Sequence, residues 1–228
     1  MKHLMEQLQV SLNSNLYLKD PKSTELGERI VQRGMEMIDE VGLEQFTFRK
    51  LANDIGTTET SVYRYFLNKH RLLLYLTSTY YAWLEYQLII ATSNVPSAEE
   101  KLKNVINLLV SCDQETSSFN GLNLKVLTRL VISESSKAYL TKQVDTGNKD
   151  GLFSGYKRLV NRLAEISLEI NPDYQYPHAL MSTMIEGIHH QKYFADHLPA
   201  LTDHGATVDH LETFYQNMVL STLANNHV

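Results

Sequence analysis

Two short helical patterns either side of Gly56 constrain this chain more than any other part of it. Residues 47–69 read TFRKLANDIGTTETSVYRYFLNK. Leu51, Ala52 and Ile55 fall at i, i+1 and i+4, which gives the first pattern one apolar edge. Gly56 follows at once, the residue best suited to the left-handed conformation at a helix C-terminus. Thr58 is placed to cap a second helix by accepting a backbone N–H. Val62 and Phe66, four apart, point inward and leave Thr60, Ser61, Tyr63, Arg64 and Tyr65 to face outward or sideways. Short polar side chains near the start of such a helix are what a major-groove recognition helix presents to base edges, so the segment is expected to be a DNA-binding helix-turn-helix.

The segment resembles the DNA-binding domain of the TetR family of bacterial transcriptional regulators, whose motif runs roughly T-x-x-x-L-A-x-x-A/I-G-V-S-x-x-T-L/V-Y-x-H/Y-F-x-x-K-x-x-L. Thr47, Leu51, Ala52, Ile55, Gly56, Thr58, Ser61, Val62, Tyr63, Tyr65, Phe66, Lys69 and Leu72 stand at the matching positions. Upstream, Ile30, Gly34, Met37, Ile38, Val41 and Gly42 resemble the family's first helix and its exit, so the similarity spans about residues 24–75. Two positions depart from the pattern. Glu59 stands where lysine is frequent; its carboxylate suits a helix N-terminus but repels phosphate, or accepts from a cytosine amino group. Thr60 stands where glycine or proline is frequent and brings a β-branched side chain close to the groove. The resemblance implies that Thr60, Ser61 and Arg64 read base edges and that Thr47, Tyr63, Tyr65 and Lys69 position phosphates. Arg49, Thr58 and Glu59 complete the expected DNA-binding set.

A net charge of −5 looks wrong for a DNA-binding chain until it is divided. Residues 1–75 hold ten Lys+Arg against ten Asp+Glu, and residues 76–228 hold eleven against sixteen, so the acidic excess lies outside the motif. Within it, Arg49, Lys50, Arg64, Lys69 and Arg71 are the local cations. With so few, affinity is expected to depend on a dimer and on correct groove contacts. Hydrophobic content of 43% and charged content of 21% are those of a soluble globular protein. The single cysteine, Cys112, excludes an internal disulfide; together with the lack of a leader it points to the cytoplasm.

The periodicity predicts an all-α chain in three parts: an N-terminal arm over 1–22, a three-helix helix-turn-helix domain over 23–70, and a larger helical ligand-binding and dimerisation domain over 71–228. In the arm, Leu4, Leu8, Val10 and Leu12 have partial helical spacing that Asn13–Asn15 break, and a loosely ordered arm is expected. Ser23–Val41 reads as the first helix, ended by Gly42, and Lys69–Ala91 as a long connecting helix capped by Asn68. That stretch is apolar enough to raise a membrane span, but Glu85, Gln87 and its hydroxyl groups argue for a buried helix. Ser97–Glu100 forms a capping box. Helices are further expected over 121–133, 135–144, 152–170, 177–197 and 208–224, with loops at 145–151 and 199–206.

In the second domain, Leu180, Met184, Ile188, Gln191 and Ala195 form one stripe, and Leu211, Phe214, Tyr215, Met218 and Leu223 another. Completing each monomer's core is one use for them; a homodimer interface is the preferred one, since a helix-turn-helix binds two half-sites as a two-fold dimer. Aromatics crowd the connecting helix at Tyr75, Tyr80, Tyr81, Trp83 and Tyr86, and a small-molecule effector site lined in part by Trp83, Tyr86, Met181 and Tyr193 is expected. Glu186 and His190 have metal-compatible i, i+4 spacing, but His189 and His190 point about 100° apart, so surface or interface histidines are expected and no metal or cofactor. Cys112 reads as a small buried hydrophobe. No phosphate loop, nucleophile motif or catalytic residue is found. The expectation is a ligand-responsive dimeric regulator, a repressor, that binds double-stranded DNA as a homodimer and is released by a small molecule; the alternative is a DNA-silent helical ligand-binding or scaffold protein.

Overall fold

The computed structural model describes residues 12–203 and 208–224. The expected positions of Leu4, Leu8 and Val10 in the arm, and the end of the loop at 199–206, lie outside the described residues. Eleven α-helices are found among those described, and they appear in chain order as α1 (Glu25–Gln45), α2 (Phe48–Asp54), α3 (Glu59–Tyr63), α4 (Lys69–Thr92), α5 (Ala98–Ser111), α6 (Leu124–Glu134), α7 (Ser136–Tyr139), α8 (Val144–Lys149), α9 (Ser154–Ile170), α10 (Pro177–His197) and α11 (Val208–Ala224). The chain separates into two units. Of the described residues, one unit holds 12–83 and 113–155, the other 84–112, 156–203 and 208–224, so α4 runs from one into the other.

In the first unit α1 begins where Thr24 accepts the Gly27 N–H. It breaks at Gly42, whose φ of 75° only glycine adopts without strain, and one further turn carries it to Gln45. Gly34 allows α4 to approach closely: a Cβ there would lie 2.8 Å from a Leu72 methyl. α6 packs along α1, and Arg129 reaches back to the Asp39 carboxylate. The core of this unit includes Ile30, Met35, Ile38, Leu51, Phe66, Leu72 and Leu76, all essentially inaccessible. In the second unit α5 packs against α10 and α11. The Asn171 amide donates to the Leu223 carbonyl at 2.8 Å, fixing the turn before α10 to the end of α11.

Several expectations give way. A two-residue antiparallel ladder, β1 (Ser118–Phe119) and β2 (Leu122–Asn123), stands where a helix was expected from residue 121. Asn120 and Gly121 both have positive φ, 54° and 79°, which is the backbone of a type I′ hairpin turn. The helix expected over 135–144 shrinks to the single turn of α7, and part of the expected loop at 145–151 is α8 instead. Buried Gly147 lets α8 lie against Leu152 and Phe153, a tertiary contact with no local signature. The described part of the arm is also docked rather than loose. Leu16 is buried, Leu18 donates its N–H to the Tyr65 carbonyl at 2.7 Å, and Asn13 and Asn15 donate side-chain N–H groups to the Asp150 carbonyl.

Candidate nucleic-acid interface

Local chemistry builds the helix-turn-helix. Thr47 caps α2 by accepting the Lys50 N–H, and Thr58 caps α3 by accepting the Ser61 N–H at 3.2 Å. Between them Gly56 takes a φ of 67° and Thr57 donates to the Ala52 carbonyl at 2.8 Å, closing the turn. Val62 and Phe66 are completely buried, so they clamp α3 and its exit onto the core. The opposite face is open. Thr47, Arg49, Lys50, Thr58, Thr60, Tyr63 and Arg64 are exposed, with Glu59 and Ser61 half-buried beside them. Tyr63 packs its ring edge-on against Phe48, 5.0 Å between centroids, which sets the direction of a side chain still 46% exposed. The Ser61 hydroxyl lies 2.9 Å from that of Thr58.

Two of the ten expected DNA-binding residues turn inward. Tyr65 is 4% exposed, and its hydroxyl lies 2.6 Å from that of Thr24 and accepts from Lys19 at 3.4 Å. The hydrogen bond with Thr24 holds the phenol below its ordinary pKa. Lys69 donates to the carbonyls of Leu43, Glu44 and Phe46 at 2.8, 3.1 and 3.3 Å. Those carbonyls end α1, where the helix leaves its acceptors without intrahelical donors. A phosphate role for either residue therefore competes with bonds already made inside the domain.

Other cations are spent the same way. Arg29 caps α2 through the Ile55 carbonyl at 2.6 Å. Arg33 bonds Asp54, Glu40 and Glu36 at 2.7, 2.8 and 3.2 Å, which raises its own pKa and holds the Asp54 carboxyl low. Lys50 donates to the Gln45 carbonyl. Arg49 and Arg64 are the exposed guanidinium groups of the motif that form no ion pair among the described residues. They are the charges left for a polyanion.

The four residues expected to line an effector site differ in exposure. Trp83 and Met181 are closed off by packing, Trp83 with its ring 5.9 Å from that of Tyr80. Tyr86 and Tyr193 are half-buried, and the Tyr193 ring is 4.4 Å from that of His197. A cavity of about 290 Å³ instead opens in the first unit, lined by His70, Arg71 and Leu74 of α4 and by residues from 138 to 153, and none of the four touches it. Sequence reasoning missed it because α7, α8 and their loops carry no strong period.

The histidine reading also changes. His189 is buried, not at the surface, and burial pushes its pKa down to about 4. Glu186 accepts from the Tyr156 hydroxyl at 2.8 Å, and His190 stacks on Phe194. No group of three potential metal ligands occurs among the described residues. Cys112 is buried, as its reading required. Of the two apolar stripes, Met184, Ile188, Leu211, Tyr215 and Leu223 are consumed by burial, while Phe214 stays 40% exposed and Leu180, Gln191, Ala195 and Met218 are half-buried. No described helix is long and apolar enough to cross a membrane.

Residues 30–76 match the family described as bacterial regulatory proteins, tetR family. No curated protein matches the sequence. Among solved structures, the fatty acid degradation regulator FadR from Bacillus halodurans is 17% identical, with a TM-score of 0.58 over 83% of this chain and 93% of its own. AibR in complex with isovaleryl coenzyme A and operator DNA is 13% identical, with a TM-score of 0.58 over 83% and 95%. A bacterial regulatory protein of the tetR family from Rhodococcus RHA1 is 12% identical, with a TM-score of 0.59 over 90% and 97%. At these identities the likeness establishes a shared fold.

Proposed function

We propose that this chain, whose residues 30–76 match the tetR family of bacterial regulatory proteins, is a dimeric, ligand-responsive repressor of transcription. The observation that carries the reading is the outer face of the helix-turn-helix. Thr60, Tyr63 and Arg64 project from a capped, core-clamped α3, flanked by Thr47, Thr58 and Arg49. Thr60, Ser61 and Arg64 would meet base edges, and Thr47, Arg49 and Tyr63 the backbone. Glu59 lowers affinity for arbitrary DNA and sharpens dependence on the correct site. The AibR complex supports both operator DNA and a small-molecule effector as partners. An effector would release DNA by binding the DNA-incompetent state more tightly, since equal affinity for both states shifts nothing. Dimerisation would use the half-exposed residues of α10 and α11, Leu180, Phe214 and Met218 among them, in a cytoplasmic protein.

Fluorescence anisotropy with DNA from immediately upstream of the protein's own gene, across a salt series, tests this reading. Tight binding with a steep salt dependence, flattened by Arg49→Ala, and a sequence preference relaxed by Arg64→Ala, are the expected results. A folded dimer that binds neither this DNA nor pooled genomic fragments would instead be a DNA-silent ligand-binding protein.

A further inference from the structure

We propose that the cavity against the first turn of α4 binds a small carboxylate carrying a short apolar substituent. Its volume, about 290 Å³, lies at the small end of ligand sites. The wall is divided in character. Leu74, Val144 and Phe153 supply apolar surface, while His70, Arg71 and Thr141 are polar.

Arg71 is the one Lys, Arg, Asp or Glu in that lining. A guanidinium has five N–H donors, and few of these are committed. One goes to the Asn15 carbonyl at 3.0 Å, and another nitrogen forms an ion pair with the Asp150 carboxylate at 3.7 Å, longer than a hydrogen bond, which an incoming carboxylate would have to displace. His70 stiffens the wall: its Nε2 is 3.0 Å from the Ala138 carbonyl, which only accepts, so that nitrogen carries a proton. A single cation with a planar fork selects an anion that can meet two parallel N–H groups, which a carboxylate does. The apolar half of the wall calls for a hydrocarbon substituent.

The site also bears on the DNA-reading motif, and this part rests on the proposed function. Asn15, which Arg71 holds, lies in the segment whose Leu18 N–H bonds the Tyr65 carbonyl behind α3. The same segment is tied to the Asp150 carbonyl through Asn13 and Asn15. A carboxylate that draws Arg71 away loosens this brace and weakens DNA binding.

Phenylacetate is the probe, and phenylacetamide its neutral counterpart, titrated onto the full chain by calorimetry and NMR. The acid is expected to bind roughly tenfold more tightly than the amide, the difference a charge-assisted pair makes over a neutral one. Arg71→Gln should erase that preference, and Val144→Trp should exclude both compounds. Absence of phenylacetate binding at millimolar concentration, or binding that survives Val144→Trp, would overturn the site. If Arg71→Gln fails to fold, the acid–amide comparison on the unaltered protein decides. DNA anisotropy run in parallel separates the two readings. Carboxylate binding without DNA affinity refutes the regulator and keeps the site, and DNA affinity without carboxylate binding does the reverse.

Discussion

The hydroxyl of Tyr65 lies 2.6 Å from that of Thr24, which itself accepts the Gly27 N–H at the start of α1. One oxygen thus caps the first helix and anchors the chain leaving the third, while the Lys19 ammonium sits 5.1 Å over the Tyr65 ring. Tyr65→Phe keeps the packing and removes the bond. It is expected to cost about 1 kcal/mol, a fall of roughly 2–4 °C in Tm for a chain of this size. The salt dependence of DNA binding should not change. An unaltered Tm with a flattened salt slope would restore a phosphate role to this residue.

Lys69 and Arg64 should separate by the same logic in opposite directions. Lys69→Met strands the carbonyls of Leu43, Glu44 and Phe46 and is expected to destabilise by about 1–3 kcal/mol, read by chemical denaturation. Arg64→Ala, on an exposed guanidinium with no ion pair among the described residues, should leave stability within about 0.5 kcal/mol. It should lower the slope of log affinity against log salt by about one if the group contacts a phosphate, or relax sequence preference if it contacts a base.

His189 gives the protein an acid-sensitive stability. Burial lowers its folded pKa to about 4 from an ordinary 6.5, so the unfolded chain takes up the proton first. The full contribution of the neutral imidazole is present above pH 6.5, declines as pH falls from 6.5 towards 4, and changes no further below that. The loss is of order 3 kcal/mol across the window. Denaturant titrations at several pH values should show this decline in the native protein and a much flatter profile in His189→Leu.

In the second unit a Cβ added at Gly187 would stand 2.5 Å from the Tyr215 hydroxyl oxygen, whose phenol is already pushed up to about 12 by burial. Gly187→Ala is therefore expected to destabilise by about 1–3 kcal/mol despite the better helix propensity of alanine. Tyr215→Phe removes the obstructing atom, so the double variant should recover most of the loss in a double-mutant cycle. Additive losses would mean that the clash is relieved by other movements.

What the sequence determined by itself is whatever short-range chemistry controls. Thr47, Thr58 and Asn68 cap their helices because a side-chain oxygen meets an N–H two or three residues on. Gly42 and Gly56 mark breaks because only glycine takes positive φ without strain. The all-α plan and the inward placement of Val62 and Phe66 follow from 3.6-residue periodicity. The Asn120–Gly121 turn was also written locally, but strands of two residues leave too little alternation to find it.

Tertiary structure alone decided which polar groups of the motif stay unbonded on its outer face. Orphan carbonyls at the ends of α1 and α2 recruit Lys69 and Arg29 from elsewhere in the chain, and Thr24 recruits Tyr65, so residues that look available in a motif are already bonded. The same holds for the neutral His189 and for the cavity beside Arg71, whose walls come from segments more than sixty residues apart in the numbering, His70 and Ala138 among them. Burial and hydrogen bonding depend on what the rest of the chain brings alongside, and no local pattern records that.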